Sequence, residues 1–267
     1  MKKYRLTALV GVLLAVTALA SFAEPRVVVT TTLIESAVKD LLGSEVEVVR
    51  LLPPSSCPGH FDLGPGQVSA MSSARLFIRH DYQAGLDAGF AKSGLDTGRV
   101  VSLTSYPSFA IPSNYVALCA ELVPSLVREW PEKEALIRHG LQSVQGKAVD
   151  MERDIRLQTK RLQGRKILCA RYQKDFCQWM GLTVVAVFNA GTDESAWQLN
   201  RAVDMGKTAG AEAVVGNLQW GPQHLRALSE ATGLPGIMLS NFPESGDEGA
   251  YWVFVNSNVA ALLKDFP

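Results

Sequence analysis

Residues 26–43 read RVVVTTTLIESAVKDLLG, and this stretch decides the fold class. Its first half, RVVVTTTLI, is apolar and β-branched throughout, which is typical of a strand buried on both faces of a parallel sheet. Its second half, SAVKDLLG, has the spacing of a helix that ends at Gly43. A buried strand followed directly by a helix is the repeating unit of a parallel α/β sheet.

The same alternation continues along the chain. VEVVRLLPP predicts a strand, GQVSAMSSA a short helix and RLFIRHD another strand, with His80 and Asp81 at its end. Beyond Gly164, strands and helices alternate from RKILCA to GIMLSN, and VNSNVAALLKDF predicts a last helix. We therefore expect two α/β lobes, each built on a parallel sheet.

Between the two halves, apolar residues recur every three or four positions from Leu141 to Leu162. This spacing predicts one helix of about 30 residues, which is far longer than the usual length of about 10 to 14. The expected organisation is an N-terminal lobe at 24–130, a linking helix at 131–163 and a C-terminal lobe at 164–267. Two such lobes would enclose a ligand cleft at the carboxyl ends of their strands.

The first 23 residues, MKKYRLTALVGVLLAVTALASFA, have a basic start, an apolar run and small residues before the end. This pattern predicts a secretory signal peptide that is cleaved after Ala23. The apolar run is shorter than the roughly 20 residues that span a bilayer. The first cysteine is Cys57, so no lipoprotein cysteine lies near the cut, and we expect a periplasmic protein without a lipid anchor.

The composition disfavours several function classes. Basic and acidic residues balance at 26 each, so nothing indicates a nucleic-acid partner. An apolar content of 47% is typical of a compact globular chain. The sequence has no G-x-S-x-G, no H-E-x-x-H and no glycine-rich phosphate loop, so we do not expect an enzyme.

The cysteines leave several possibilities open. Disulfides are the ordinary expectation for an exported chain, and four cysteines allow three pairings. A bridge between Cys169 and Cys177 is disfavoured if both lie on one helix, because eight residues of helix rise about 12 Å. We interpret Cys177 as a core residue, and His139 and His224 as solvated helix residues.

Residues 51–67, LLPPSSCPGHFDLGPGQ, resemble the first-lobe stretch of the metal-binding solute receptors of bacterial ABC transporters, of the zinc and manganese type. The resemblance continues in order through the linking helix, MGLTVVAVFN, ATGLPGIMLSNFPE and AYWVFVNSN. It implies a receptor that captures a transition metal ion between two lobes and passes it to a membrane permease. We expect such a receptor to act as a monomer.

Most of the usual metal ligands of that family are absent from this sequence. The family binds its ion with a histidine from each of the first two loops, a histidine or glutamate from a third and an acidic residue from a fourth. Here the first loop offers His60, whereas Ser113-Asn114-Tyr115, Ala170 and Ser240 occupy the other positions. The resemblance places three cysteines beside these positions: Cys57, Cys119 and Cys169.

We therefore expect a metal site formed by His60, Cys57, His80 and Cys119. His80 is included because it ends a predicted strand at the cleft. Thiolate and imidazole ligands together favour zinc, copper(I) or similar ions over manganese, and zinc is the ion that we expect. Asp62 and Gln219 are candidates for hydrogen bonds that orient these ligands.

Two other interpretations stay open. In the first, a disulfide between Cys57 and Cys119 replaces the ion, and the protein is a metal-independent periplasmic binding or scaffold protein. In the second, which is less favoured, CPGH and Asp62 form the open zinc site of a hydrolase, although such a site needs further ligands.

Overall fold

The computed structural model describes residues 26–54, 64–72, 74–89, 96–189 and 196–266. The predicted signal peptide and the CPGH loop, with Cys57, His60 and Asp62, lie outside the described residues. None of the helices in the described part is both long and apolar enough to span a membrane.

The first lobe is built on a four-stranded parallel sheet with the strand order β2-β1-β3-β4. Its strands are β1 (Arg26–Val29), β2 (Glu47–Arg50), β3 (Leu76–His80) and β4 (Val100–Leu103). Its helices are α1 (Thr32–Leu42), α2 (Pro65–Ser72) and α3 (Pro112–Glu129). The predicted alternation of strand and helix is therefore present in this lobe.

The second lobe repeats the topology of the first, with the strand order β6-β5-β7-β8. Its strands are β5 (Lys166–Ala170), β6 (Thr183–Phe188), β7 (Ala213–Asn217) and β8 (Gly236–Leu239). Its helices are α5 (Lys174–Trp179), α6 (Ala196–Ala209), α7 (Pro222–Thr232) and α8 (Ala250–Asp265). In each sheet the strand that comes first in the chain, β1 or β5, lies between two other strands. The later strands are added on both sides of it.

The lobes are joined by α4 (Glu134–Gln158), a helix of 25 residues. It buries a stripe with the predicted spacing, formed by Ile137, Val144, Ala148 and Ile155. The helix ends at Gln158, four residues before Leu162, the last residue of the predicted apolar stripe. At this end the Thr159 hydroxyl donates to the Ile155 carbonyl at 2.8 Å, and the backbone then turns into a short 3-10 helix. The predicted fold class of two parallel α/β lobes joined by one long helix is confirmed.

The first strand is shorter than predicted. The apolar run RVVVTTTLI was expected to be extended throughout, but β1 ends at Val29 and α1 begins at Thr32. The cause is local, because the Thr31 hydroxyl accepts a hydrogen bond from the Ile34 backbone N–H and so caps the helix. Three threonines are thereby left at the carboxyl end of β1.

Helix α1 carries a polar stripe that contacts the second lobe. Thr32 Oγ1 donates to the Pro243 carbonyl at 2.7 Å, and one turn later Ser36 Oγ donates to the Asp247 carbonyl at 3.1 Å. One turn later again, Asp40 Oδ1 accepts the Gly249 N–H at 2.7 Å. The stripe of residues 32, 36 and 40 thus binds segment 243–249 along two turns of helix.

Candidate ligand cleft

The topology of the two sheets locates the cleft. In an open parallel sheet, ligands bind outside the carboxyl ends of the strands, at the point where the strand order reverses. In the first lobe this point lies between β1 and β3, at residues 30–32 and His80. In the second lobe it lies between β5 and β7, at residues 170–173 and 217–219.

The strand ends of the first lobe meet the loop that follows β8 in the second. Thr32 Oγ1 donates to the Pro243 carbonyl at 2.7 Å, and the ring of Phe242 lies 6.4 Å from the ring of His80. Phe109 of the first lobe forms a triangle with these two rings, and its ring centroid lies 5.0 Å from that of His80 and 6.4 Å from that of Phe242. The cleft is therefore closed at its base by a cluster of aromatic rings.

His80 occupies the centre of this base and is completely buried. Its Nε2 lies 3.1 Å from Thr31 Oγ1, and its backbone N–H donates to Gln83 Oε1 at 3.1 Å. Gln83 Oε1 also accepts from Thr30 Oγ1 at 2.7 Å. The ring of Tyr82 stacks on the imidazole at 5.2 Å, almost parallel to it. The imidazole is thus held on several sides.

The imidazole of His80 is neutral, because burial lowers its pKa from 6.5 to about 3. Its Nδ1 is buried and has no hydrogen-bond partner among the described residues. In the tautomer in which Nε2 donates to Thr31, Nδ1 carries a free lone pair. A neutral ring with an unused lone pair has the electronic state that a metal ligand requires.

The wall contributed by the second lobe is made of amides and hydroxyls. Gln173 Nε2 donates to Asn217 Oδ1 at 3.2 Å and to Asn241 Oδ1 at 2.6 Å. Gln219 Nε2 donates to Ser240 Oγ at 3.0 Å, and Gln219 Oε1 accepts from the Asn241 N–H at 3.0 Å. Asn217 Nδ2 is buried without a partner in the described part of the chain. These described side chains carry no formal charge, and among them one donor is unused.

Among the residues that the structure describes, only one of the four predicted metal ligands lies at the cleft. That residue is His80, whereas Cys119 lies on α3, fully buried in the apolar core beside Tyr115. Burial raises the pKa of the Cys119 thiol well above its ordinary value. In the part of the chain that the structure describes, no group of three or more His, Cys, Asp or Glu side chains is arranged to hold a metal ion.

The two cysteines of the second lobe are closer together than the sequence suggested. Cys169 lies on β5 and Cys177 on α5, so they do not share a helix. Their Sγ atoms are 3.8 Å apart, and both side chains are fully buried. The bridge between them was disfavoured only if both residues lie on one helix, and this condition is not met.

Sequence reasoning missed the aromatic base and part of the amide wall. Phe109 and Phe242 lie in irregular segments with no periodicity to reveal them. Gln173 ends a short 3-10 turn and is almost completely buried. The available signal was its position three residues after the end of a predicted strand. Gln219 and Ser240 were expected at the cleft, and both belong to this wall.

The sequence matches a family model described as "Zinc-uptake complex component A periplasmic" over residues 27–106 and 109–264. A comparison with curated proteins found no match. The family match therefore covers both lobes and the helix between them.

Solved structures of metal-binding proteins have the same fold. The chain is similar to a zinc-bound ZnuA deletion mutant, with a TM-score of 0.75 and 13% identity over 91% of this chain and 98% of that one. It is also similar to the periplasmic zinc-binding protein TroA from Treponema pallidum, with a TM-score of 0.75 and 16% identity over 91% and 99%. FpvC from P. aeruginosa, in complex with Ni²⁺, gives a TM-score of 0.75 and 15% identity over 91% and 97%.

Proposed function

Because the chain belongs to the periplasmic zinc-uptake component A family of metal receptors, we propose that its cleft takes one zinc ion and that the protein delivers it to the permease of an ABC transporter. The choice of zinc among the transition metals is the more specific part of this proposal, since the similar structures hold more than one transition metal. The metal is cargo that the receptor must also release.

The observation that carries the proposal is the meeting of the two sheets at the carboxyl ends of their strands. Thr32 follows β1 of the first lobe, and its hydroxyl reaches the Pro243 carbonyl, which lies in the loop after β8 of the second lobe. Each lobe has the same strand order, so each has one binding edge at the carboxyl ends of its strands, and the Thr32–Pro243 contact brings the two edges together. A small ligand between these edges is contacted by both lobes.

The first-lobe loop after β2 supplies the proposed metal ligands His60 and Cys57. The described chain leads toward the cleft before this loop, since the Leu52 N–H donates to the Thr30 carbonyl at 3.1 Å. A thiolate and an imidazole suit zinc better than manganese. The described side chains of the second-lobe wall are neutral, so we assign the negative charge that offsets the ion to the Cys57 thiolate.

His80 and Cys119 complete the proposed ligand set. His80 supports the proposal through its neutral ring and its unused Nδ1, which lie at the base of the cleft. Cys119 enters only through the family resemblance, and its position inside the core requires α3 to shift before the thiol can reach an ion. A variant at Cys119 therefore tests the least supported member of the set.

We also propose that the mature receptor begins near Glu24 and acts as a periplasmic monomer. The basic and apolar pattern of residues 1–23 supports export, and the family description supports the compartment. The intact mass of the exported form measures the first point, and light scattering measures the second.

One observation favours a second candidate function. The described cleft residues of the second lobe are amides and hydroxyls, and such groups bind an uncharged polar molecule as well as they support a metal site. In this alternative, a metal-independent binding protein uses Asn217 Nδ2 and its neighbours to hold the ligand directly.

Calorimetric titration of the purified, reduced mature chain tests the proposed function. We expect about one zinc ion to bind per chain. Manganese serves as the competing ion, and it should bind more weakly because thiolate ligands disfavour it. A chain that binds no transition metal overturns the receptor proposal and favours the metal-independent alternative.

A further inference from the structure

We propose that Cys169 and Cys177 form a disulfide in the exported protein and that this bond fixes the turn which presents Gln173 to the cleft. The two Sγ atoms lie 3.8 Å apart, which is van der Waals contact between sulfur atoms. Both side chains are completely buried. The inference concerns this pair of residues and does not depend on the identity of the cargo.

The pair is singled out by its geometry. Cys169 is the fourth residue of β5, and Cys177 is the fourth residue of α5. Between them lies the 3-10 turn Arg171–Gln173, which folds α5 back onto the end of the strand. Cys119, the other cysteine in the described part of the chain, lies on another element, beside Tyr115 and Asp40. Among the described cysteines, only Cys169 and Cys177 are close enough to bond.

The turn between the two cysteines carries a residue of the cleft wall. Gln173 donates to Asn217 Oδ1 and to Asn241 Oδ1, and so it ties the ends of β7 and β8 together. A bond from β5 to α5 closes the short loop on both sides of Gln173. The Gln173 amide is then held in place by a covalent bond as well as by packing.

The chemistry requires an oxidant from the compartment. A thiolate of one cysteine attacks a small-molecule or protein disulfide and releases one thiol, and the second cysteine then attacks the mixed disulfide and releases the other thiol. The net change joins the two Sγ atoms and transfers two electrons and two protons to the oxidant. An oxidising periplasm supplies such disulfides.

Burial sets the time at which the bond forms. Thiolate is the attacking species, and burial raises the pKa of the Cys169 thiol well above its ordinary value in the folded protein. The exchange therefore takes place while the chain folds, before β5 and α5 pack together. The same burial protects the finished bond from reductants.

Peptide mapping of the exported protein tests the proposal. Trypsin separates all four cysteines into the peptides 51–75, 100–128, 167–171 and 175–201. The protein is isolated from the periplasm, denatured with an alkylating reagent and digested without reductant. We expect peptide 167–171 to be linked to peptide 175–201. Alkylated Cys169 and Cys177 in most molecules, or a link from either of them to another peptide, would overturn the proposal.

Thermal unfolding with and without reductant gives a second readout. Reduction of the denatured wild type, followed by refolding with reductant, should lower its melting temperature by about 5 °C, because a short loop is no longer closed. The double variant Cys169→Ala, Cys177→Ala should show no response to reductant, whereas Cys119→Ala should respond as the wild type does. An equal response in the double variant places the sensitive bond elsewhere and overturns the assignment.

Discussion

The ring of Tyr115 lies flat against the ring of Tyr251, with centroids 3.6 Å apart and an angle of 4° between the planes. Tyr115 belongs to α3 of the first lobe and Tyr251 to α8 of the second, so the stack is a direct contact between the lobes. The two hydroxyls differ in their hydrogen bonding. Tyr115 donates to Asp40 Oδ2 at 2.8 Å, whereas the buried Tyr251 hydroxyl has no partner among the described residues.

This difference predicts opposite effects for two matched substitutions. Tyr115→Phe should lower the free energy of unfolding by about 1–2 kcal/mol, because it leaves a buried acceptor of Asp40 without its donor. Tyr251→Phe should be neutral or raise stability by up to about 1 kcal/mol, because it removes a hydroxyl that is buried unpaired. Urea unfolding of both variants measures the effects, and equal losses for the two would contradict the assigned hydrogen bonds.

The carboxyl of Asp40 predicts a pH dependence of stability. Burial raises its pKa above 3.8, although the hydrogen bonds from Gly249 and Tyr115 act to lower it. The folded state then holds this proton more tightly than the unfolded state does. The stabilising contribution is complete below pH 3.8 and is lost as the pH rises through the raised folded pKa.

The variant Asp40→Asn isolates that contribution. The difference in unfolding free energy, wild type minus Asp40→Asn, should fall as the pH rises through this window and then level off. Glu45 is the control of opposite sign, because its hydrogen bond to Lys133 lowers its pKa below 4.5. The difference between wild type and Glu45→Gln should rise with pH as it approaches 4.5. Denaturation curves at several pH values check both, and parallel profiles for the two variants would exclude the assigned shifts.

Two glycines of α4 predict opposite changes in stability. A Cβ at Gly140 would lie 2.8 Å from the Asp40 carbonyl oxygen and 2.8 Å from Leu41 Cα, both in the backbone of α1. Gly140→Ala should therefore destabilise the protein by about 1–3 kcal/mol, because the two helices must separate. At Gly146 an added Cβ meets nothing within 4 Å. Gly146→Ala should stabilise the protein by about 0.5–1 kcal/mol through helix propensity.

Urea unfolding of both alanine variants measures this contrast. The same substitution in the same helix cancels the intrinsic gain from propensity, so the difference between the variants reports the contact with α1. If Gly140→Ala proved as stable as Gly146→Ala, the close packing of α4 on α1 would be wrong.

The proposed ligand His60 predicts a loss of zinc binding. His60→Ala should weaken affinity by at least about 100-fold, or ~2.8 kcal/mol, because the site loses a bond and its preorganised geometry. His139→Ala is the matched control, since His139 is exposed on α4, and its affinity should be unchanged. Calorimetry under reducing conditions measures both, and equal affinities for wild type and His60→Ala would place the site elsewhere.

Binding to an imidazole ligand also depends on pH. An unperturbed imidazole has a pKa near ~6.5, and a protonated ring has no lone pair for the ion. The zinc affinity of the wild type should therefore decrease as the pH falls through that value. His60→Ala should lose this part of the dependence, and a wild-type affinity that stays constant down to about pH 5 would contradict an imidazole ligand with an ordinary pKa.

The fold could be predicted because its signals are local. The β-branched run at Val27–Val29, the helix end at Gly43 and the apolar stripe of α4 are each visible within a few residues. Helix α3 was not among the predicted elements. It starts after Ile111 with no side-chain cap and contains Pro124 in its interior, so Pro112 in its first turn is the one usual signal of its start.

The cleft could be predicted only in outline. His80 was expected at a strand end and lies there, because strand ends are a local feature. The contact between Cys169 and Cys177 depends on how a short turn folds α5 onto β5, and the hydrogen bonds of Gln173 join residues up to 68 positions apart. The tight packing at Gly140 likewise depends on where α4 crosses α1, and neither helix reveals this in its own sequence.

The polar stripe of α1 has a mechanical consequence. Thr32, Ser36 and Asp40 are spaced four residues apart, so their contacts with segment 243–249 form a row of about 12 Å along the helix axis. Pulling the lobes straight apart breaks all three bonds at once, whereas turning one lobe about this row strains each bond only slightly. Rotation about this row therefore costs less than separation across it, and we expect any relative movement of the lobes to leave the contacts along α1 in place.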